Sequence, residues 1–236
     1  MRRAIWLNDI ARNADLTGTE IDDRLWTMPS LIEGGGAYDA FTNSFHVDAS
    51  VCESDVADYL AGKMTLEELM GGTTGYVIFH ELGHALDPGS IYLDASAEWV
   101  DDYLLTPDEL KEYTRRCGRI EKYFDGISIW EGQQVIGAIC MQEALAEICS
   151  MQARLCYAAK QENFDYRTFF LARARMSPTL CTPEYELEYI MGRDHHPTAF
   201  LDTNVTVQQF DEFLQAFGVK EGDTMYLAPE DRLLLW

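Results

Sequence analysis

The sequence predicts a mostly helical α+β domain with a small N-terminal β-hairpin, and three observations lead there. No proline occurs between Pro107 and Pro178, a span long enough for several helices. Glycine and proline instead punctuate the two ends of the chain. Strand-like alternation is confined to the stretch AYDAFTNSFHVDASV that follows Gly34, Gly35 and Gly36. With 236 residues, 47% hydrophobic and 25% charged, residues 1–236 suit a single domain with its own core.

The elements follow in order. The alternating stretch reads as a hairpin turning near Asn43-Ser44. ESDVADYLAG and TLEELMGG read as short helices, each closed by glycine. Thr73 and Thr74 offer N-caps for a helix through GYVIFHELGHALD, stopped by Pro88-Gly89. Thr106-Pro107-Asp108-Glu109 is a capping signal for a helix through LKEYTRRCGRIEKYF. A second long helix starts after Gly137 and runs through AICMQEALAEICSM towards Ala159, and FDYRTFFLARARM makes a third. In the tail, VQQFDEFLQAF is the clearest amphipathic helix.

Composition excludes several function classes. Forty acidic residues against 18 basic ones give a formal charge of -22, so nucleic acid and anionic membrane surfaces are not expected partners. No run of about 20 apolar residues is present to span a bilayer. The opening MRRAIWLNDIARN lacks the apolar centre of a secretory signal. Six cysteines without regular spacing read as reduced, mostly buried small hydrophobes. A cytoplasmic location is the expectation.

The sharpest chemical signal is His80-Glu81-Leu82-Gly83-His84. Spacing i, i+4 puts both imidazoles on one helix face, where they can share a metal, with Glu81 beside them. The surrounding helix is too apolar to be a solvated surface that merely carries two polar histidines. Catalytic zinc usually takes three protein ligands, and Glu143-Ala144-Leu145-Ala146-Glu147 offers the third. Its two acids lie one turn apart on an apolar helix, an expensive arrangement unless cations meet them. A metal with its histidines is one such partner: Glu143 would be the ligand, and Glu147 would accept the free ring N–H of a ligand histidine. Arg154, Arg173 or Arg175 neutralising the pair is the other reading. Near the C-terminus, Asp194-His195-His196-Pro197 could supply a proton donor or oxyanion stabiliser, or simply two exposed loop histidines.

These segments together resemble the neprilysin-like zinc metallopeptidases, the family that includes bacterial endopeptidase O. GYVIFHELGHALDPG is similar to the family's zinc helix, and DGISIWEGQQVIGAICMQEALAEI to its ExxAD segment. EWVDDYLLTPDELKEY, FFLARAR, DHHPTAFLDTN and the closing EFLQAFGVKEGDTMYLAPEDRLLLW extend the likeness from about Asp23 to Trp236. The resemblance implies a thermolysin-like (gluzincin) catalytic fold, one Zn²⁺, and endopeptidase action on small peptides. It implies His80, His84 and Glu143 as zinc ligands, Glu81 as general base, and Glu147 as the acid behind a ligand ring. Asp194 and His196 match a DxH whose histidine stabilises the tetrahedral intermediate. Ala37 matches an edge-strand residue that binds substrate backbone, and Val77 one wall of the pocket after the scissile bond.

Three positions depart from the family pattern. Glu147 stands for an aspartate, Gly36 for an asparagine of the edge strand, and Asp202 for an arginine that grips a substrate carbonyl. Loss of such a donor typically removes about 3 kcal/mol of transition-state stabilisation. Metal binding is expected to survive all three, with turnover weakened. The alternative function is therefore a metal-loaded, slow or inactive domain that binds peptides or a partner chain. The family's N-terminal helical cap domain is absent from 1–236, so the expectation is a fragment, a short paralogue, or a chain that pairs with another supplying the cap.

Overall fold

The computed structural model describes residues 35–94, 96–101, 104–128, 132, 134–176, 182 and 195–235. Asp194, Cys181 and Trp236 lie outside these residues, as does everything before Gly35.

The hairpin forms from β1 (Gly36–Asp39) and β2 (Ser44–Val47), antiparallel with Ala37 opposite His46. Asn43 takes the left-handed φ of 46° that closes the turn, a conformation asparagine tolerates better than most residues. Helices α1 (Ala49–Leu60) and α2 (Leu66–Gly71) follow, and a capping box between Thr65 and Glu68 opens the second.

Helix α3 (Thr73–Gly83) carries the HExxH segment and tightens into a 3₁₀ turn at His84–Leu86. Gly72, rather than Thr73 or Thr74, is its N-cap residue. Thr74 instead donates its amide and hydroxyl to Asp55 of α1, at 3.3 and 3.0 Å. An acid borrowed from a neighbouring helix thus satisfies the first turn.

Helix α4 (Pro107–Asp125) starts as the capping signal predicts, with Glu109 accepting the Thr106 amide at 2.9 Å and Pro107 in the first turn. Helix α5 (Gly137–Ala158) is the central element, buried on most sides from Cys140 through Leu155. Asp125 at the end of α4 accepts the Gly137 amide at 2.6 Å, so one helix end caps the next beginning. Leu145, Ile148 and Met151 of α5 meet Ile120 and Phe124 of α4 and Phe169 and Phe170 of α6 (Tyr166–Met176) in one core.

The tail departs from expectation. VQQFDEFLQAF is not one helix: α7 (Ala199–Val207) ends, Phe210 is extended at φ -117°, and α8 (Asp211–Phe217) begins afresh. The physical reason lies in Gln209, whose buried side chain accepts the Leu233 amide at 2.8 Å. Leu233 and Leu235 then close the core, and Arg116 of α4 donates to the carbonyls of Leu234 and Leu235.

Cys117, Cys140 and Cys149 are buried thiols, Cys52 is partly buried and Cys156 is exposed. Among the described residues, no helix is long and apolar enough to cross a membrane.

Candidate metal centre

The centre is built where α3 crosses α5. A Cβ on Gly83 would lie 2.4 Å from the carbonyl oxygen of Ala146, so only glycine permits this approach. Gly83 adjoins His84, and Ala146 lies three residues after Glu143. The close crossing therefore carries the two imidazoles onto the carboxylate. His80 Nε2 lies 3.1 Å from Glu143 Oε2, His84 Nε2 lies 3.3 Å from the same oxygen, and the two Nε2 atoms are 3.2 Å apart.

That triangle tests whether a metal fits. Ligands about 2.0–2.1 Å from a tetrahedral ion are separated by roughly 3.3 Å, close to the edges found here. Each ring also has a carboxylate at its outer nitrogen. His84 Nδ1 lies 3.1 Å from Asp87 Oδ2, and His80 Nδ1 lies 3.7 Å from Glu147 Oε2. With Nδ1 protonated towards those acids, both Nε2 lone pairs point into the triangle, which a cation would satisfy and a hydrogen bond could not. Electrostatics makes the same demand. Burial disfavours charge on His80, yet Glu143 and Glu147 push its pKa up to about 10. Burial likewise opposes charge on His84, which Asp87 and Glu143 push up to about 9. Glu143 is held well below the usual carboxylate range by His80, His84 and His196, against its own burial. The donor set fits a divalent cation, and His80, His84 and Glu143 are the residues that could hold it.

Glu81 is buried and lines the same open cleft of about 400 Å³, together with His80, His84, Glu143 and His196. Its pKa is raised by burial, partly offset by the neighbouring histidines. A Cβ on Gly36 would lie 2.7 Å from Glu81 Cγ and Oε1, so β1 rests directly on the α3 face that bears Glu81. Ala37 and Tyr38 of that strand line the cleft. Val77 does not line it; its Cγ1 sits beneath Gly36, 2.8 Å from where a Cβ would stand.

His196 Nε2 lies 3.2 Å from Glu143 Oε2 with its side chain half exposed, and its ring stacks towards that of His80 at 6.1 Å. His195 is exposed. Glu147 combines the two sequence readings: Oε2 faces His80, while Oε1 accepts from Arg154 and Arg173 at 3.1 and 3.2 Å. Asp202 pairs with Arg173 and is not among the residues that line the cleft.

Sequence reasoning missed Asp87 and Tyr76. Asp87 stands three residues after His84, a spacing that carries it round the 3₁₀ turn to the ring, and this was the available signal. Tyr76, one turn before His80, stacks on its imidazole with centroids 5.2 Å apart.

Comparison with known proteins gives consistent results. A model of peptidase family M13 matches residues 63–233. The neutral endopeptidase of Lactococcus lactis subsp. cremoris is 27% identical over 231 residues, 96% of this chain and 35% of that protein. The Lactobacillus helveticus neutral endopeptidase is 27% identical over 220 residues, 92% of this chain and 32% of that one. The crystal structure of PepO from Lactobacillus rhamnosis HN001 superposes with a TM-score of 0.77 at 29% identity, covering 90% of this chain and 32% of that structure. The Mycobacterium tuberculosis zinc metalloprotease Zmp1 gives a TM-score of 0.81 at 20% identity, covering 96% and 36%, a likeness of fold. The chain spans about a third of the length of the curated relatives it matches.

Proposed function

Because the chain belongs to peptidase family M13, we propose that it provides the catalytic centre of a zinc-dependent endopeptidase acting on small peptides. The observation that carries this reading is the 3.1–3.3 Å triangle of His80 Nε2, His84 Nε2 and Glu143 Oε2, with Glu81 in the same cleft. A zinc ion held by these three ligands would supply Lewis-acid chemistry, lowering the pKa of water towards about 7 and polarising the scissile carbonyl.

The chain's own residues do the rest. Glu81 accepts the proton of the attacking water and delivers it to the departing amine. His196 donates to the carbonyl oxygen as it gains charge, with Asp194 orienting the ring in the manner the family resemblance implies. The outer edge of β1 around Ala37 takes the substrate backbone as an added strand, and Val77 supports that strand from below.

The test is cleavage of a quenched fluorescent peptide library by the zinc-loaded chain. Glu81→Gln is expected to lower turnover by about 10²–10⁴ with one zinc still bound, and His196→Gln by about 10²–10³. Turnover unchanged in Glu81→Gln would overturn the assignment. A second reading, a metal-loaded domain that holds peptides without efficient turnover, is favoured by Asp202: its carboxylate is committed to Arg173 and offers the substrate no donor. Stoichiometric zinc and peptide binding without cleavage would establish it.

A further inference from the structure

Behind the imidazole of His80 lies a group of charges that the reaction outlined above does not use. The side chains of Glu147, Arg154 and Arg173 have 0% exposure, and that of Asp202 has 12%. Glu147 offers Oε1 to both guanidiniums and turns Oε2 towards His80 Nδ1. Arg173 is held at three points: Nε donates to Glu147, Nη2 to Asp202, and Nη1 to Thr203 Oγ1 at 3.0 Å. Its guanidinium also lies over the Tyr76 ring at 4.7 Å, and that ring stacks on His80. Two routes, one ionic and one aromatic, therefore run from Arg173 to the same histidine.

The charges balance. Two buried guanidiniums face two carboxylates, and neither arginine could stay charged here on Glu147 alone without a large desolvation cost. Asp202 thus stands as the second anion that Arg173 requires. Where the family pattern has an arginine in α7, this chain has an acid, and an arginine of α6 pairs with it. Asp202→Arg would not restore a lost donor, because it would place three guanidiniums around one buried carboxylate.

We propose that Arg173, anchored by Asp202, is a positioning residue for the metal centre. It fixes the Glu147 side chain so that Oε2 stays 3.7 Å from His80 Nδ1, an ionic contact that favours the proton on Nδ1 and leaves Nε2 to the ion. The proposal rests on the metal-centre reading above. Removing carboxylates that orient ligand histidines typically weakens metal binding 10–100-fold, and removing the support of such a carboxylate acts through the same link.

The experiment uses the full chain with Co²⁺ and Zn²⁺ as probes. Zinc affinity is measured by chelator competition, the Co²⁺ ligand-field spectrum reports coordination, and thermal melting followed by circular dichroism reports folding. Asp202→Asn and Arg173→Lys keep volume but break the two-sided clamp. The expected result is a folded protein with zinc affinity lowered about 10–100-fold and an altered Co²⁺ spectrum. Asp202→Glu, which keeps the anion, should restore most of both. Folded variants with wild-type affinity and spectrum overturn the positioning role alone. Variants that all fail to fold also overturn it, because the cluster would then be purely structural. A wild-type chain that binds neither ion removes the metal-centre reading itself.

Discussion

His84 shows how much one side chain depends on a neighbour three residues away. Its Nε2 lies 3.3 Å from Glu143 and is free to bind a metal when Nδ1 carries the proton towards Asp87, and the same Asp87 carboxylate accepts from the Gly89 amide and the Ser90 hydroxyl. Asp87→Asn preserves the acceptor that holds this turn but can set an amide N–H against the ring nitrogen. We expect zinc affinity to fall about 10–100-fold with little loss of stability, read by zinc titration beside a thermal melt. Several residues of the site were legible because metal chemistry fixes their spacing: His80, Glu81 and His84 on one helix face, and Glu143 as an unpaired acid on an apolar helix. The partners of Glu147 were legible only as alternatives. A sequence shows that a buried acid needs cations but does not show that it meets a histidine on one oxygen and two arginines on the other.

At the scale of elements, the α3–α5 crossing decides whether the ligands meet. Gly83→Ala would drive a methyl group into the Ala146 carbonyl, so the helices must separate. A destabilisation of about 1–3 kcal/mol is expected, together with weaker zinc binding as both imidazoles leave Glu143. Denaturant unfolding and zinc titration of the same variant would show whether the two losses travel together. Helices with local signals were readable: the Thr106–Glu109 and Thr65–Glu68 capping boxes lie where the chain announces them. The break between α7 and α8 was not readable, because its cause is a hydrogen bond that the Leu233 amide, 24 residues away, donates to Gln209. The β1 position was also tertiary in origin. Gly36 looks like a lost asparagine in sequence, yet in space it is the residue that lets the strand lie against Glu81.

For the molecule as a whole, the dominant long-range feature is its formal charge of -22. Such a field raises the encounter rate of cationic ligands and lowers that of anionic ones, and salt screens both effects. If the cleft hydrolyses peptides, kcat/KM for a lysine- or arginine-bearing peptide should fall about tenfold or more between low and high ionic strength. A neutral peptide of equal length should change little, and equal salt responses for the two would argue against steering. The charge was plain from composition, and the mostly helical class from the proline-free span and the single stretch of strand-like alternation.

Leu233 and Leu235 seal a core one wall of which, in α4, is laid down more than a hundred residues earlier. During synthesis those leucines are made after every α-helix of the described residues, so α4 and α5 wait for them with an uncovered flank. The core closes only once this late segment has been added, and in the interval its bare apolar flank is the surface most open to misassembly.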